Sequence, residues 1–201
     1  MIELVTLQGK LVRLEPLSLQ HLPGLLEAAQ LDQSTYVLTT VPTTETAMKT
    51  YLEAAINNPL QMPFATVDAR ANRVVGSTRF ALEFWLWENP LSRAPNPDAV
   101  EIGWTWLAKD VQRSGINTEA KLLMLSLAFE TWGVHRVTLK TDARNMRSRN
   151  AIERLGAKFD GILRAAVPAS NGGIRDSAYF SILQSEWESV KSRLESFLTR
   201  D

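Results

Sequence analysis

Length, composition and charge limit the classes of protein that this chain could form. It has 201 residues, 45% of them hydrophobic, which suits one globular domain spanning 1–201. Its 22 basic residues balance 22 acidic ones, so no global charge draws it to nucleic acid or to a membrane surface. It contains no cysteine, which excludes disulfides, thiolate metal ligands and a thiol nucleophile.

The sequence shows no pattern typical of a targeting segment or of a metal site. The N-terminus lacks the basic start and apolar run of a signal peptide, and no stretch reaches the ~18 apolar residues that a membrane span needs. We therefore expect a cytoplasmic protein. The two histidines, His21 and His135, are far apart in the sequence and not in ligand-like spacing, so we predict no metal site.

The first half of the chain alternates between the periodicities of strands and of helices. The predicted elements are a strand at 10–17, a helix at 18–30, a second helix that starts near Glu45 and is stopped by 57–59, a hairpin of strands at 63–69 and 73–84, and a strand at 99–107. The proline-containing segment at 85–98 is predicted to be a loop. Its Trp85 and Trp87 are expected to pack in the core, with a binding groove as the alternative.

The second half predicts alternating helices and strands. They are a helix at 117–131, a strand at 135–143, a short helix that ends at Gly156, strands at 157–168 and 176–183, and a C-terminal helix at about 185–199. The order β, α, α, three strands, α, β, α, β, β, α indicates a mixed α/β fold around one sheet. The C-terminal helix carries an apolar stripe that could cap the sheet or form a homodimer, made of Trp187, Val190, Leu194 and Phe197.

The segment between the strand at 99–107 and the next helix is a candidate anion site. Backbone N–H groups at a turn and at a helix start have no intrahelical partners, so they can bind phosphate. Gly115 would let the backbone approach a ligand, and Arg113 could add a charge-assisted contact. The alternative is a simple cap, with Asn117 or Thr118 as the N-cap residue. Glu119 would complement the helix dipole and repel a phosphate.

Two segments in this half resemble motifs of the GNAT superfamily of acyl-CoA-dependent N-acetyltransferases. QRSGIN at 112–117 is similar to the family's Gln/Arg-x-x-Gly-x-Gly/Ala pyrophosphate loop, and TDARNMRSRNAIERLGAKFDGILR at 141–164 resembles its segment with an asparagine before a short helix. The similarity covers about residues 8–190 and is greatest to the ribosomal-protein N-terminal acetyltransferases RimJ and RimL. It implies a central, mostly antiparallel sheet with a splayed cofactor-binding strand pair, flanked by helices.

The resemblance implies transfer of an acetyl group from acetyl-CoA to a primary amine, by direct attack in a ternary complex. The acceptor stays open between a protein N-terminus, a polyamine, an antibiotic and a small metabolite. Two positions depart from the family pattern: Asn117 replaces a glycine or alanine, and Ile152 replaces the tyrosine that serves many relatives as general acid. These departures motivate the alternative of a non-catalytic acyl-CoA-binding module.

The resemblance also implies which residues contact the cofactor. They are the loop residues Gln112, Arg113, Ser114, Gly115, Ile116, Asn117 and Thr118, backbone groups near Trp106 and Leu107, and the side chains of Asn145 and Arg149. Asn145 would bond the pantetheine amides. Arg149, in a basic cluster with Arg144 and Arg147, would meet the phosphates, although a solvated helix face is the alternative for these arginines.

The resemblance further suggests two side chains for the chemical steps. Glu101 is the candidate base, and strand alternation predicts that it shares a face with Gly103 and Thr105. An ion pair with Arg79 across the sheet is the alternative role for Glu101. Ser148 is the candidate for assisting the departing thiolate, with a helix cap as the alternative.

Overall fold

The computed structural model describes residues 3–85, 92–170 and 172–199. Its strands form one sheet in the order β1-β2-β3-β4-β5-β6-β8-β7. Neighbouring strands run antiparallel except β5 and β6, which are parallel. The strands are β1 (Leu7–Gln8), β2 (Val12–Pro16), β3 (Gln61–Asp68), β4 (Arg73–Glu83), β5 (Ala99–Leu107), β6 (Arg136–Asp142), β7 (Lys158–Pro168) and β8 (Ile174–Leu183). The predicted mixed, mostly antiparallel sheet is confirmed; the two-residue β1 was not predicted.

Helices cover both faces of this sheet. They are α1 (Leu22–Gln30), α2 (Glu45–Ile56), α3 (Ile116–Ser126), α4 (Met146–Leu155) and α5 (Trp187–Leu198), with a π-helical turn continuing α3 from Leu127 to Trp132. The α2 residue Tyr51 contacts Ser77 of β4, whereas Lys121 of α3 contacts the next residue, Thr78. Since successive strand residues point to opposite faces, α2 and α3 lie on opposite faces of the sheet. Every helix in the described part of the chain is too short or too polar to cross a bilayer.

The apolar stripe of α5 is covered by the same chain. Trp187 stacks on Phe129 with ring centroids 5.4 Å apart, and its Nε1 donates to Glu130 2.8 Å away. Val190 and Leu194 are buried in the core. The stripe therefore packs against α3 and its continuation.

Trp85 does not pack in the core as predicted. It follows the end of β4, is 38% exposed, and stacks flat on His135 with ring centroids 5.2 Å apart. The prediction was wrong because the chain leaves the sheet at Glu83 and the indole reaches only the sheet's margin. Trp87 lies outside the described residues.

Glu119 has a role that the sequence did not indicate. Its carboxylate accepts hydrogen bonds from the backbone N–H groups of Lys10, Leu11 and Val12, at 3.0, 2.7 and 2.8 Å. A Cβ on Gly9 would lie 2.3 Å from the Glu119 Oε2 atom. The buried carboxylate is thus turned away from the start of α3 and ties the turn between β1 and β2 to that helix. It does not oppose a phosphate at the helix terminus.

We predict that Glu119→Ala lowers the free energy of unfolding by about 3 kcal/mol, because backbone donors lose their acceptor in a part-buried site. Glu119→Gln should cost less, since it keeps one acceptor oxygen. Glu27→Ala, on the exposed face of α1, is the matched control and should change stability little. Urea denaturation measures all three, and equal stability of Glu119→Ala and the control would contradict the assigned role.

Candidate active site

The strands β5 and β6 separate soon after they begin. They pair only between 99–101 and 136–138, although β5 continues to Leu107 and β6 to Asp142. The two strands therefore form a fork, and the β5 edge that faces β6 has no strand partner beyond Glu101. This is the splayed strand pair that the family resemblance implied.

Glu101 lies at the base of the fork. Its carboxylate forms an ion pair with Lys140 of β6, with Nζ and Oε2 2.9 Å apart, and the Glu101 side chain is largely buried. The Lys140 ammonium also lies 5.8 Å from the centroid of the Tyr179 ring. The alternative pairing of Glu101 with Arg79 is wrong, because the Arg79 guanidinium contacts Gln61 instead.

A β-bulge changes the direction of side chains along β5. Ser77 is the cross-strand partner of Trp106 and Arg79 that of Gly103, so Trp104 and Thr105 together oppose one residue of β4. Trp104 has a φ of 50°, a left-handed conformation that is uncommon for a large side chain. The predicted common face is therefore correct for Glu101 and Gly103 and wrong for Thr105, which points to the α3 face.

A buried lysine supports this bulge from the α3 face. Lys121 Nζ donates to Thr105 Oγ1 at 2.7 Å and to Thr78 Oγ1 at 3.2 Å, and these two hydroxyls lie 2.7 Å apart. Burial lowers the pKa of the Lys121 ammonium to about 7. The sequence offered a weak signal, a lysine beside the apolar run that follows Ala120, which helical spacing alone did not assign to either face.

The end of β5 is held by hydrogen bonds to one carbonyl. The Leu107 oxygen accepts from the Tyr36 hydroxyl at 2.7 Å and from Gln112 Nε2 at 2.8 Å. Tyr36 packs edge-on against Trp106, with ring centroids 6.1 Å apart, and burial raises the pKa of its phenol to about 12. The side chain of Gln112 thus ties the start of the loop to the end of β5.

The loop between β5 and α3 leads into the helix at Gly115. The loop residue with a left-handed backbone is Arg113, which was not predicted. Gly115 is the N-cap and has helical dihedrals (φ −66°), whereas Arg113 has a φ of 64°. Ser114 Oγ donates to the Val111 oxygen at 2.6 Å and lies 3.3 Å from the Ile116 nitrogen. The capping role predicted for Asn117 or Thr118 is wrong, because both lie inside the first turn.

A cavity of about 340 Å³ lies beside this loop. Its lining combines loop residues with α4 and α5: Arg113, Ser114, Gly115, Thr118, Arg154, Phe197 and Leu198. The Arg154 guanidinium lies 4.6 Å from the centroid of the Phe197 ring. Two arginines and the N-terminal N–H groups of α3 make this cavity suited to an anionic ligand. Arg154 and Phe197 were not predicted because they join the loop only through tertiary packing.

The start of α4 lies next to the loop. Arg147 donates to the Gln112 side chain and so links the two strand-to-helix junctions. Asn145 Oδ1 accepts from the Ser148 backbone nitrogen at 3.0 Å, which makes Asn145 the N-cap of α4. The capping role considered for Ser148 is therefore wrong, because Asn145 caps the helix. Ser148 lies in the first turn of α4, which begins four residues after the end of β6.

Arg144 and Arg149, the other arginines of the predicted basic cluster, contact groups outside the loop. Arg149 Nη1 donates to the Ala143 oxygen at 3.3 Å, and its guanidinium lies 5.3 Å from the centroid of the Phe159 ring. Arg144 forms an ion pair with Asp142 at 2.7 Å. Arg144 holds the pKa of that carboxyl below its usual range through this hydrogen bond. Of the cluster 144–149, Arg147 is the arginine that contacts the loop.

The tyrosines of the described residues lie away from position 152, where the resemblance implied a general acid. Ile152 itself is buried in the core. Tyr36 donates to a backbone carbonyl, Tyr51 pairs with the Ser77 hydroxyl at 3.1 Å, and Tyr179 lies beside Lys140. Ser148 therefore remains the candidate for protonating or stabilising a leaving group at the fork.

Comparisons with known proteins agree with this geometry. The family model described as an acetyltransferase (GNAT) domain matches residues 12–158. "Putative ribosomal N-acetyltransferase YdaF" of Bacillus subtilis (strain 168) is 36% identical over 91 residues, 45% of this chain and 49% of that protein. The chain is thus matched over about half of that protein's length.

Solved structures are similar over nearly the whole chain. A GCN5-related N-acetyltransferase from Brucella melitensis is 30% identical, with a TM-score of 0.82 over 98% of this chain and 86% of that one. A "putative acetyltransferase" from T. thermophilus is 34% identical, with a TM-score of 0.81 over 98% of this chain and 100% of that one. The chain belongs to the GNAT family of acetyltransferases, as its two motifs predicted.

We predict that Lys121 makes stability depend on pH. Between about pH 7 and 10 the unfolded chain holds a proton on Lys121 that the folded chain lacks. The free energy of unfolding should therefore rise by about 1.4 kcal/mol per pH unit in this window. Lys121→Met should remove this slope, whereas Lys49→Met, on an exposed face of α2, should keep it. Urea denaturation from pH 7.5 to 9.5 measures the slopes. Equal slopes in wild type and Lys121→Met would refute the assignment.

Proposed function

We propose that the protein transfers an acetyl group from acetyl-CoA to a primary amine, by direct attack within a ternary complex. The observation that carries this proposal is the fork between β5 and β6, which opens beside the anion-binding start of α3 and its arginine-lined cavity. Bound acetyl-CoA would supply the electrophilic thioester carbonyl. Arg113, Arg154 and the backbone of 114–118 would hold its phosphates.

The residues of the fork can serve each step. Glu101 would accept a proton from the attacking amine, directly or through water, as the bond between nitrogen and the carbonyl carbon forms. Backbone N–H groups near Trp106 and Leu107 would stabilise the oxyanion. As the bond between carbon and sulfur breaks, its electron pair stays on sulfur, and the Ser148 hydroxyl would assist that thiolate. Asn145 keeps its side-chain nitrogen for the pantetheine amides, since only its oxygen caps α4.

The amine acceptor is proposed from reactivity and similarity. The relative from Bacillus subtilis is named as a ribosomal N-acetyltransferase, which supports a protein N-terminus as one acceptor. An α-amino group titrates near ~8 and a lysine near ~10.4, so an α-amino group needs less help from a base. An acceptor with an α-amino group therefore suits a site with one buried carboxylate at the fork.

The proposed function is tested by two measurements on the purified chain. Acetyl-CoA should raise the melting temperature, because a ligand that binds the folded state stabilises it. Free thiol should then appear when acetyl-CoA is mixed with amines that carry an α-amino group, including peptides and amino acids. Stabilisation without thiol release would favour a cofactor-binding module, and the absence of both would refute the assignment of the loop.

We predict that charge at position 115 controls cofactor affinity. Gly115→Asp and Gly115→Asn both introduce residues favoured at a helix N-cap, so both variants should fold. Only the aspartate places a negative charge among the donors for phosphate. Gly115→Asp should weaken acetyl-CoA binding by at least about 10-fold, and Gly115→Asn by much less. Isothermal titration calorimetry measures both affinities. Equal affinities of the two variants would place the phosphates elsewhere.

We predict that Ser148→Ala reduces turnover without weakening cofactor binding. Loss of assistance to the leaving thiolate should lower kcat by about 100-fold, while the Kd of acetyl-CoA stays within about 2-fold. Ser192→Ala, on the exposed side of α5, is the control and should have wild-type kinetics. Thiol release under saturating acetyl-CoA gives kcat. An unchanged kcat in Ser148→Ala would assign the leaving-group role to another group.

A further inference from the structure

Arg79 is a buried cation with a free hydrogen-bonding edge. It lies in β4 and is 4% exposed. Its Cζ atom lies 4.7 Å from the centroid of the Tyr51 ring and 5.0 Å from that of the Trp104 ring, so an aromatic ring packs near it from α2 and another from β5. Nη1 donates to Gln61 Oε1 at 2.9 Å. Nε and Nη2 are buried and have no hydrogen-bond partner among the described residues.

The two unpartnered nitrogens lie on the same edge of the Arg79 guanidinium. The N–H bonds of Nε and Nη2 run parallel along one edge of a guanidinium, and this edge binds both oxygens of a carboxylate. No carboxylate of the described residues pairs with Arg79, and Glu101, on the same sheet face, pairs with Lys140. Aromatic contacts offset part of the cost of burying this charge, and an anion at the free edge would offset more.

Arg79 lies on the same face of the sheet as the candidate base. Arg79 is the cross-strand partner of Gly103, and Glu101 is that of Ala81, so Arg79 and Glu101 share the sheet face opposite α3. A Cβ on Gly103 would lie 2.9 Å from Glu101 Oε1, so the candidate base lies directly over this glycine. The proton acceptor and the guanidinium therefore flank the same residue of β5.

Trp104 forms the outer wall of this arrangement. It is 42% exposed and sits on the positive-φ residue of the bulge. Its ring contacts the Arg79 guanidinium, so a partly exposed side chain packs directly against the buried cation. An anion that binds there would change the environment of Trp104, which makes binding visible in tryptophan fluorescence.

We propose that Arg79 binds a carboxylate of the acceptor, so that the acceptor is an amine that also carries a carboxylate. This inference rests on the proposed acetyl transfer and specifies its substrate. The same chemistry is offered by a free amino acid, through its α-carboxylate, and by a peptide whose first residue is Asp or Glu, through its side chain. The amine would lie at Glu101 and the carboxylate at Arg79.

The test compares matched acceptors that differ in one carboxylate. One pair is alanine and alaninamide, and the other is the C-terminally amidated peptides Glu-Ala-Ala and Gln-Ala-Ala. Values of kcat/KM are measured for wild type, Arg79→Gln, Arg79→Lys and the control Arg70→Gln, which changes an exposed turn residue. The ratio within a pair, compared between wild type and variant, removes the difference in intrinsic reactivity of the two amines.

We expect wild type to prefer the carboxylate member of at least one pair by about 10-fold or more, chiefly through a lower KM. Arg79→Gln should lower kcat/KM for the carboxylate member much more than for the uncharged member and so abolish that preference, Arg79→Lys should restore part of it, and Arg70→Gln should retain it. The pair that responds identifies an amino acid or an acidic N-terminus. Equal use of both members by wild type, or an equal loss for both in Arg79→Gln, would overturn the proposal.

A binding measurement covers the case in which none of the four amines is acetylated. The carboxylate members are titrated into the complex with CoA while tryptophan fluorescence is followed, with Trp104→Phe identifying the responding indole. Saturable quenching that Arg79→Gln abolishes would support the proposal, and its absence would overturn it. Failure of the donor assignment is distinguishable, because acetyl-CoA would then not stabilise the wild-type chain.

Discussion

The organisation of this protein depends on the early separation of two parallel strands. Unpaired backbone groups are costly when buried, so parallel strands usually remain paired along their length. Here β5 leaves β6 after Glu101, and the bulge at Trp104 and Thr105 changes its course. The bulge does not stand alone, because Lys121 bonds a threonine on each of the two strands that form it. The strand that would receive the donor is thus shaped by a side chain of the helix that would bind the donor's phosphates.

The parallel relation of β5 and β6 also explains why two separate sequence motifs form one site. The carboxyl ends of neighbouring parallel strands lie at the same edge of a sheet, and ligands bind there in many α/β proteins. Each strand is followed by a helix, so the starts of α3 and α4 lie side by side. The bond from Arg147 to Gln112, and from Gln112 to the Leu107 carbonyl, connects the two junctions.

Three buried charged residues differ in how completely their polar atoms are satisfied. The Glu119 carboxylate accepts from three backbone nitrogens, which accounts for a structural role. Lys121 has two hydroxyl partners, and burial lowers the pKa of its ammonium to about 7. Arg79 has one amide partner and two aromatic neighbours, and its Nε and Nη2 atoms have no hydrogen-bond partner among the described residues. A buried donor without a partner lowers the stability of the fold, so an anion bound at Arg79 would recover part of that free energy.

The sequence by itself determined the class of the protein. Periodicity predicted the order of its elements apart from the two-residue β1, and the motifs at 112–117 and 141–164 predicted the fold family, because local backbone patterns and glycine positions are properties of short segments. It could not determine which charges meet. Glu101 pairs with Lys140 instead of Arg79, and Trp104 and Thr105 break the alternation, because a bulge is set by the register of the neighbouring strand. Tertiary structure alone decided that Arg154 and Phe197 join the loop and that Arg79 is left with a free edge, since both depend on packing between elements far apart in the chain.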